Sequence, residues 1–145
     1  MSAWLEKAKE VFQDLIPRFE NADTPYLLWF ELNDAFDSAY EKIPHDESLI
    51  SRIYQYSDWC MSQPQGQTAE DDLATCVAVC FYEHIPLCKN ARLDMPRWWH
   101  PKDLDHMKEI FSYHLGDDGF AELKKLFSRE RSRYNPALRV CARRS

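Results

Sequence analysis

Apolar residues recur along most of this chain at intervals of three and four, the spacing that lines them up on one side of an α-helix. Trp4, Ala8, Val11, Phe12, Leu15 and Phe19 make the first such stripe and predict a helix from Ser2, as N-cap, to about Phe19. Thr24 as N-cap and Pro25 at the first helical position predict a second, which runs to about Ile43 with Leu28, Leu32, Ala35, Phe36 and Ala39 facing inward. A third, from about Asp46 to Ser62, repeats Leu49, Ile50, Ile53 and Tyr54 and stops before Pro64. The stretch Leu73 to Ile85 has almost no polar stripe and reads as a central helix buried around most of its circumference. Thr68 and Asp71 are placed to cap it and Pro86 to end it.

After Pro86 the pattern weakens. Leu87 to Asp94 predicts a short helix, and Met95 to His100, which contains Pro96, reads as an irregular loop. Pro101 restarts a helix carrying Leu104, Met107, Ile110, Phe111 and His114, which Gly116 stops. Asp117 or Asp118 then caps a last helix bearing Phe120, Leu123, Leu126 and Phe127, ended by Asn135-Pro136. The expected fold is an all-α antiparallel bundle of about six to seven helices around the 70–85 helix, in one domain over 1–135. Residues 136–145 are expected to form a loose, basic tail.

Composition agrees with helices. Only 3 glycines occur among 145 residues, too few for a hairpin-rich fold or a phosphate-cradling loop. No stretch approaches the ~20 apolar residues that span a bilayer, and the first residues lack the basic and apolar regions of a secretory signal. The 5 cysteines are an odd number and three of them, Cys76, Cys80 and Cys88, crowd the apolar segment; they read as reduced small hydrophobes. A cytoplasmic protein is expected, without membrane attachment.

Charge changes the picture more. Residues 129–145 hold six arginines against Glu130, a balance of +5 that leaves −11 on the rest of the formal −6. An acidic body repels nucleic acid and attracts a basic protein surface, so a basic protein partner is expected and a polynucleotide is not. Glu31, Asp34, Asp37 and Glu41 recur at helical spacing on the second helix and are candidates for that attraction; a merely solvated face is the plainer explanation.

Three constellations have residue types suited to chemistry or recognition. Asp94, Arg97, Trp98 and Trp99 combine the arginine and tryptophan that dominate interface hot spots; alternatively the tryptophans anchor the loop in the core and Arg97 pairs with Asp94. Glu83 and His84, with His100, form a possible acid–base site, or Glu83 is a structural clamp. Cys80 and His84, four apart on one helical face with Cys76, are a possible partial metal site that needs ligands from elsewhere, such as His106 or His114; gap-filling thiols are the alternative. No cofactor is expected in the leading reading.

Taken together, Ala35-Phe36-x-x-Ala39-Tyr40, Ile53-Tyr54-x-Tyr56-x-x-Trp59-Cys60, Cys80-Phe81-Tyr82-Glu83-His84-Ile85-Pro86 and Asp94-Met95-Pro96-Arg97-Trp98-Trp99 resemble a family of small bacterial helical proteins that has no assigned activity. The resemblance spans about residues 26–128 and transfers no residue's role. In size, acidity and lack of catalytic motifs the chain is also similar in kind to the immunity proteins encoded beside polymorphic toxins. The resulting expectation is an inhibitor that occludes a basic toxin, with a small metal-dependent or acid–base enzyme and a structural or regulatory adaptor as alternatives.

Overall fold

Side-chain caps start the early helices where the sequence places them. Thr24 Oγ1 accepts from the Leu27 amide at 3.2 Å and opens α2 (Pro25–Glu41), and Asp46 accepts from the Leu49 amide at 3.2 Å and opens α3 (Glu47–Met61). The computed structural model describes residues 2–68 and 71–138, and among them there are helices and turns but no strand. The fold is all-α, as the pattern predicts. Glu70, Arg139, Cys141, Arg143 and Arg144 lie outside the described residues.

Before α2 the chain forms α1 (Ala3–Val11) and then a tighter 3-10 stretch, Gln13–Phe19, instead of one helix to Phe19. Pro17 is the physical reason, since it lacks an amide hydrogen and its ring would strike the carbonyl four residues back. Phe12 and Phe19 still reach the core across this change of pitch, their rings edge to face at 6.2 Å.

The central segment also departs from a regular helix. Thr68 caps only a turn, accepting from the Asp71 amide, and α4 (Leu73–Val77) begins five residues after it with Asp72 at its N-cap position. α4 passes directly into a π-helical turn, Ala78–Tyr82, in which the Glu83 amide bonds to the Ala78 carbonyl, five residues back. A 3-10 turn, Ile85–Leu87, follows. Cys76, Val77, Phe81, Tyr82 and Ile85 are buried, whereas Val79 and His84 are exposed, so one side of this segment is open to solvent. The widened turn removes the common face that an unbroken helix would give Cys76, Cys80 and His84.

The expected irregular loop over Met95 to His100 is helix for most of its length. α5 (Lys89–Trp98) runs through Pro96, with Ala91, Met95 and Trp98 fully buried. A proline forfeits one helical hydrogen bond, but burial of these side chains and the contacts of Asp94 hold the helix across it. His100 and Asp103 form a capping box that opens α6 (Pro101–His106). α7 (Lys108–Arg129) is interrupted at Gly116, whose φ of 81° suits glycine. Past α7, Pro136–Leu138 makes a 3-10 turn against α5, with Leu138 on the core.

Aromatic rings tie these elements together. Phe81 stacks on Trp29 at 5.0 Å and meets Phe36 edge-on at 4.9 Å, joining the π turn to α2. Tyr54 of α3 stacks on Trp98 at 4.9 Å, and Trp99 meets Tyr82 and Phe111 edge-on at 5.0 and 5.1 Å, extending the network to α5 and α7.

The polar centre is Asp94, 7% exposed. Its carboxylate accepts from Tyr40 Oη at 2.7 Å, Trp98 Nε1 at 3.0 Å, Arg97 Nε at 2.6 Å and Arg133 Nη2 at 3.1 Å. Burial alone would raise its pKa; the hydrogen bonds from Arg97, Tyr40 and Trp98 outweigh that and hold it below the usual carboxylate range. With the folded value below the unfolded ~3.9, Asp94 contributes stability that is complete above that pH and lost as pH falls through the folded value.

Asp94→Ala is therefore expected to destabilise by about 3 kcal/mol at pH 7, as for loss of one partner from a buried ion pair. Urea unfolding at a series of pH values should also show a shallower acid dependence in the variant. An effect below about 1 kcal/mol, the scale of an exposed ion pair, would contradict the assigned role.

Candidate functional site

Where the Val79–Cys88 segment turns its open side outward, α2 lies alongside and the two enclose a groove of about 560 Å³. Helical spacing puts Tyr26, Phe30, Asn33 and Asp37 of α2 on one wall. Val79, Cys80, His84 and Leu87 form the facing wall, and Phe36 and Phe81 lie at the base. The Asn33 side-chain amide donates to the Cys80 carbonyl and ties the walls together beneath the opening. Much of the rim is apolar and solvent-facing: Phe30 is 70% exposed, Val79 41% and Leu87 48%.

Four acidic candidates lie on α2, and the fold divides them. Arg18 reaches across from the 3-10 stretch to Glu31 at 3.2 Å and Asp34 at 2.6 Å, neutralising that end. Asp37 lines the groove and Glu41 is exposed one turn further. The Asp37 carboxyl is raised from its ordinary value, first by burial beside the groove and then by repulsion from Asp34 and Glu41, with a partial offset from His84.

Of the Asp94, Arg97, Trp98 and Trp99 group, the carboxylate and both indoles are buried and Arg97 is partly exposed. Trp98 and Trp99 are 0% and 3% exposed, and their indole nitrogens donate to Asp94 and to Tyr54 Oη. Arg97 bridges Asp94 to Glu47 of α3 at 2.8 Å and lies over the Trp98 ring. The tryptophans thus anchor α5 in the core and Arg97 pairs with Asp94, the second of the two arrangements expected for this group.

His100 is likewise structural. Its Nδ1 accepts from the Lys102 amide at 3.0 Å and its ring meets Tyr134 edge-on, so it serves the α6 cap and does not join Glu83 and His84. Those two residues instead meet His114 from α7: His114 Nε2 lies 3.2 Å from Glu83 Oε1, and the His84 and His114 rings stack at 4.8 Å. Cys80 is on the groove wall and outside this group. Burial pushes its thiol up to about 12, as it does for Cys60, so neither is a ready nucleophile at neutral pH.

Sequence spacing missed the groove because helical periodicity on α2 does not specify which side a neighbour will leave uncovered. Phe30 was the available hint: it falls off the inward stripe of Leu28, Leu32, Phe36 and Ala39, yet is aromatic. Comparison of the chain with family models, curated proteins and solved structures returns no match.

Two outcomes follow from this geometry. Because the folded Asp37 pKa lies above its unfolded value, the fold holds this proton more tightly and loses stability as pH rises through that interval. Asp37→Asn should thus match or exceed the parent's thermal stability at pH 7, with any gain fading below about pH 4, where both states protonate. Lower stability at pH 7 would show that the charge supports the fold. Native-state alkylation at pH 8 should modify Cys60 and Cys80 roughly a hundredfold or more slower than the urea-unfolded chain, read by peptide mass spectrometry; equal rates would contradict their environment.

Proposed function

We propose that this protein is a protein-binding module of the immunity type, which inhibits a basic toxin by seating one of its apolar segments in the groove beside α2. The observation that carries this reading is the exposed Phe30, Val79 and Leu87 rim set against acidic Asp37 and Glu41. Solvent-facing apolar surface rimmed by charge is characteristic of interaction sites. Large apolar side chains on the partner would displace water from the rim, while flanking lysines or arginines would meet the carboxylates.

Charge supports the same choice of partner. The chain carries a formal −6, and Asp37 in the groove and Glu41, one turn beyond it on α2, make no ion pair among the described residues. A basic surface would be drawn to this side by long-range attraction, and apolar contact would then set its residence time. Inhibition would be steric, with Asp94, Arg97, Trp98 and Trp99 acting from within by keeping α2 and α5 in place.

The test starts from affinity capture in the native host with the parent and Phe30→Ala. The captured partner's binding is then measured with purified components and its activity assayed with and without this protein. Phe30 is so exposed that its truncation should leave the melting temperature unchanged while weakening affinity about tenfold or more, as for an interface hot spot. Association should slow as salt rises. A partner retained equally by Phe30→Ala, or one whose activity is unaffected by binding, would overturn the proposal.

A further inference from the structure

Glu83, His84 and His114 bring one carboxylate and two imidazoles together at the end of the groove, with a ligand atom from each lying within 4.8 Å of the others. The group is assembled from two elements: the π turn ends at Glu83 and delivers it and His84 as the chain bends, and α7 supplies His114 two residues before its break at Gly116. From this geometry we infer that Glu83, His84 and His114 form a binding site for a single first-row divalent cation of the zinc, cobalt or nickel type.

The donor set decides the class of cation. Imidazole nitrogens suit zinc, cobalt, nickel and iron, whereas calcium and magnesium take oxygen-rich sites. Three protein ligands leave a tetrahedral ion one open position, and His84, one of the three, also lines the groove. Ligand atoms around such an ion stand ~3.4 Å apart, given metal–ligand bonds of about 2.0–2.2 Å. Closing from the present separations asks for small rotations of His84 and His114, which are both exposed, while Glu83 stays in place.

The surroundings fit a cation as well. The Glu83 side chain is 14% exposed, yet among the described residues its carboxylate has His114 Nε2 as its polar contact. A carboxylate this buried gains from a full positive charge beside it. Asp37 lines the same groove as His84, so a second carboxylate stands on the side of the groove facing that ligand. The Tyr113 ring meets His114 edge-on at 4.8 Å and limits where that imidazole swings.

An ordinary latch is the rival explanation, with His114 bonded to Glu83 and stacked on His84 merely to fasten α7 to the π turn. Titration with metal alone separates the two. Full-length protein without a histidine tag, stripped with chelator, is titrated with Co²⁺ under visible absorption and then with Zn²⁺ in competition. The site requires one equivalent of Co²⁺ to produce d–d bands that Zn²⁺ abolishes, together with a rise in melting temperature on zinc addition. His114→Ala, His84→Ala and Glu83→Gln should each weaken binding at least tenfold, as loss of a ligand does, with circular dichroism confirming their fold; His106→Ala should bind as the parent. Absence of a stoichiometric Co²⁺ complex, or binding undiminished in His114→Ala and Glu83→Gln, would overturn the inference.

Discussion

The buried Asp94 carboxylate is the constraint on which the remaining arrangement depends. One anion, placed in the interior, must be met by enough donors to offset its desolvation, and those donors come from separate parts of the chain. Tyr40 stands near the end of α2, Arg97 and Trp98 belong to α5, and Arg133 follows α7. Arg97 then carries the link on to Glu47 at the start of α3. Hydrophobic packing would let these helices slide against one another with little penalty, but directional bonds from four residues to one carboxylate fix their relative positions. Such specification, more than net stability, is what a buried charge network contributes.

With that centre fixed, the aromatic network sets where the protein is closed and where it is open. Phe81 is held between Trp29 and Phe36, so the π turn cannot rotate its outward side chains into the core. Val79 and His84 remain at the surface for this reason, facing α2 across the groove. The wider turn has a second consequence. It brings Glu83 and His84 to the place where α7 passes, and so joins the apolar groove to a polar cluster at one end. Irregular helical turns carry an energetic penalty relative to α-helix, and they are often kept where they position working side chains.

Much of the fold was legible in the sequence because long stripes and strong caps point to the same elements. Thr24-Pro25 and Asp46 start α2 and α3 where expected, and Gly116 interrupts α7 where expected. The failures have a shared physical origin. Pro17 and Pro96 look alike in sequence, yet one tightens the chain into a 3-10 stretch and the other is carried inside α5. The difference lies in tertiary contacts, above all those of Asp94, Met95 and Trp98, which local pattern does not contain. The π turn was invisible for the same reason, since an apolar run reads identically at either helical pitch. Of the site, Glu83, His84, Asp37 and Glu41 could be singled out by type and His114 named beside His106 as a ligand from elsewhere, but the choice of His114 and the exposure of Phe30 became evident only once α7 and the open side of the π turn were placed.

The central claim is that function resides on the groove between α2 and the Val79–Cys88 segment, and that α5 supports it from within. The most direct test is amide chemical-shift mapping of isotope-labelled protein as the captured partner is added. Perturbations concentrated at 26–41 and 79–88 and fading toward Asp94, Arg97, Trp98 and Trp99 would bear the account out. Perturbations centred on the Arg97 side of α5, with the groove residues unmoved, would contradict it.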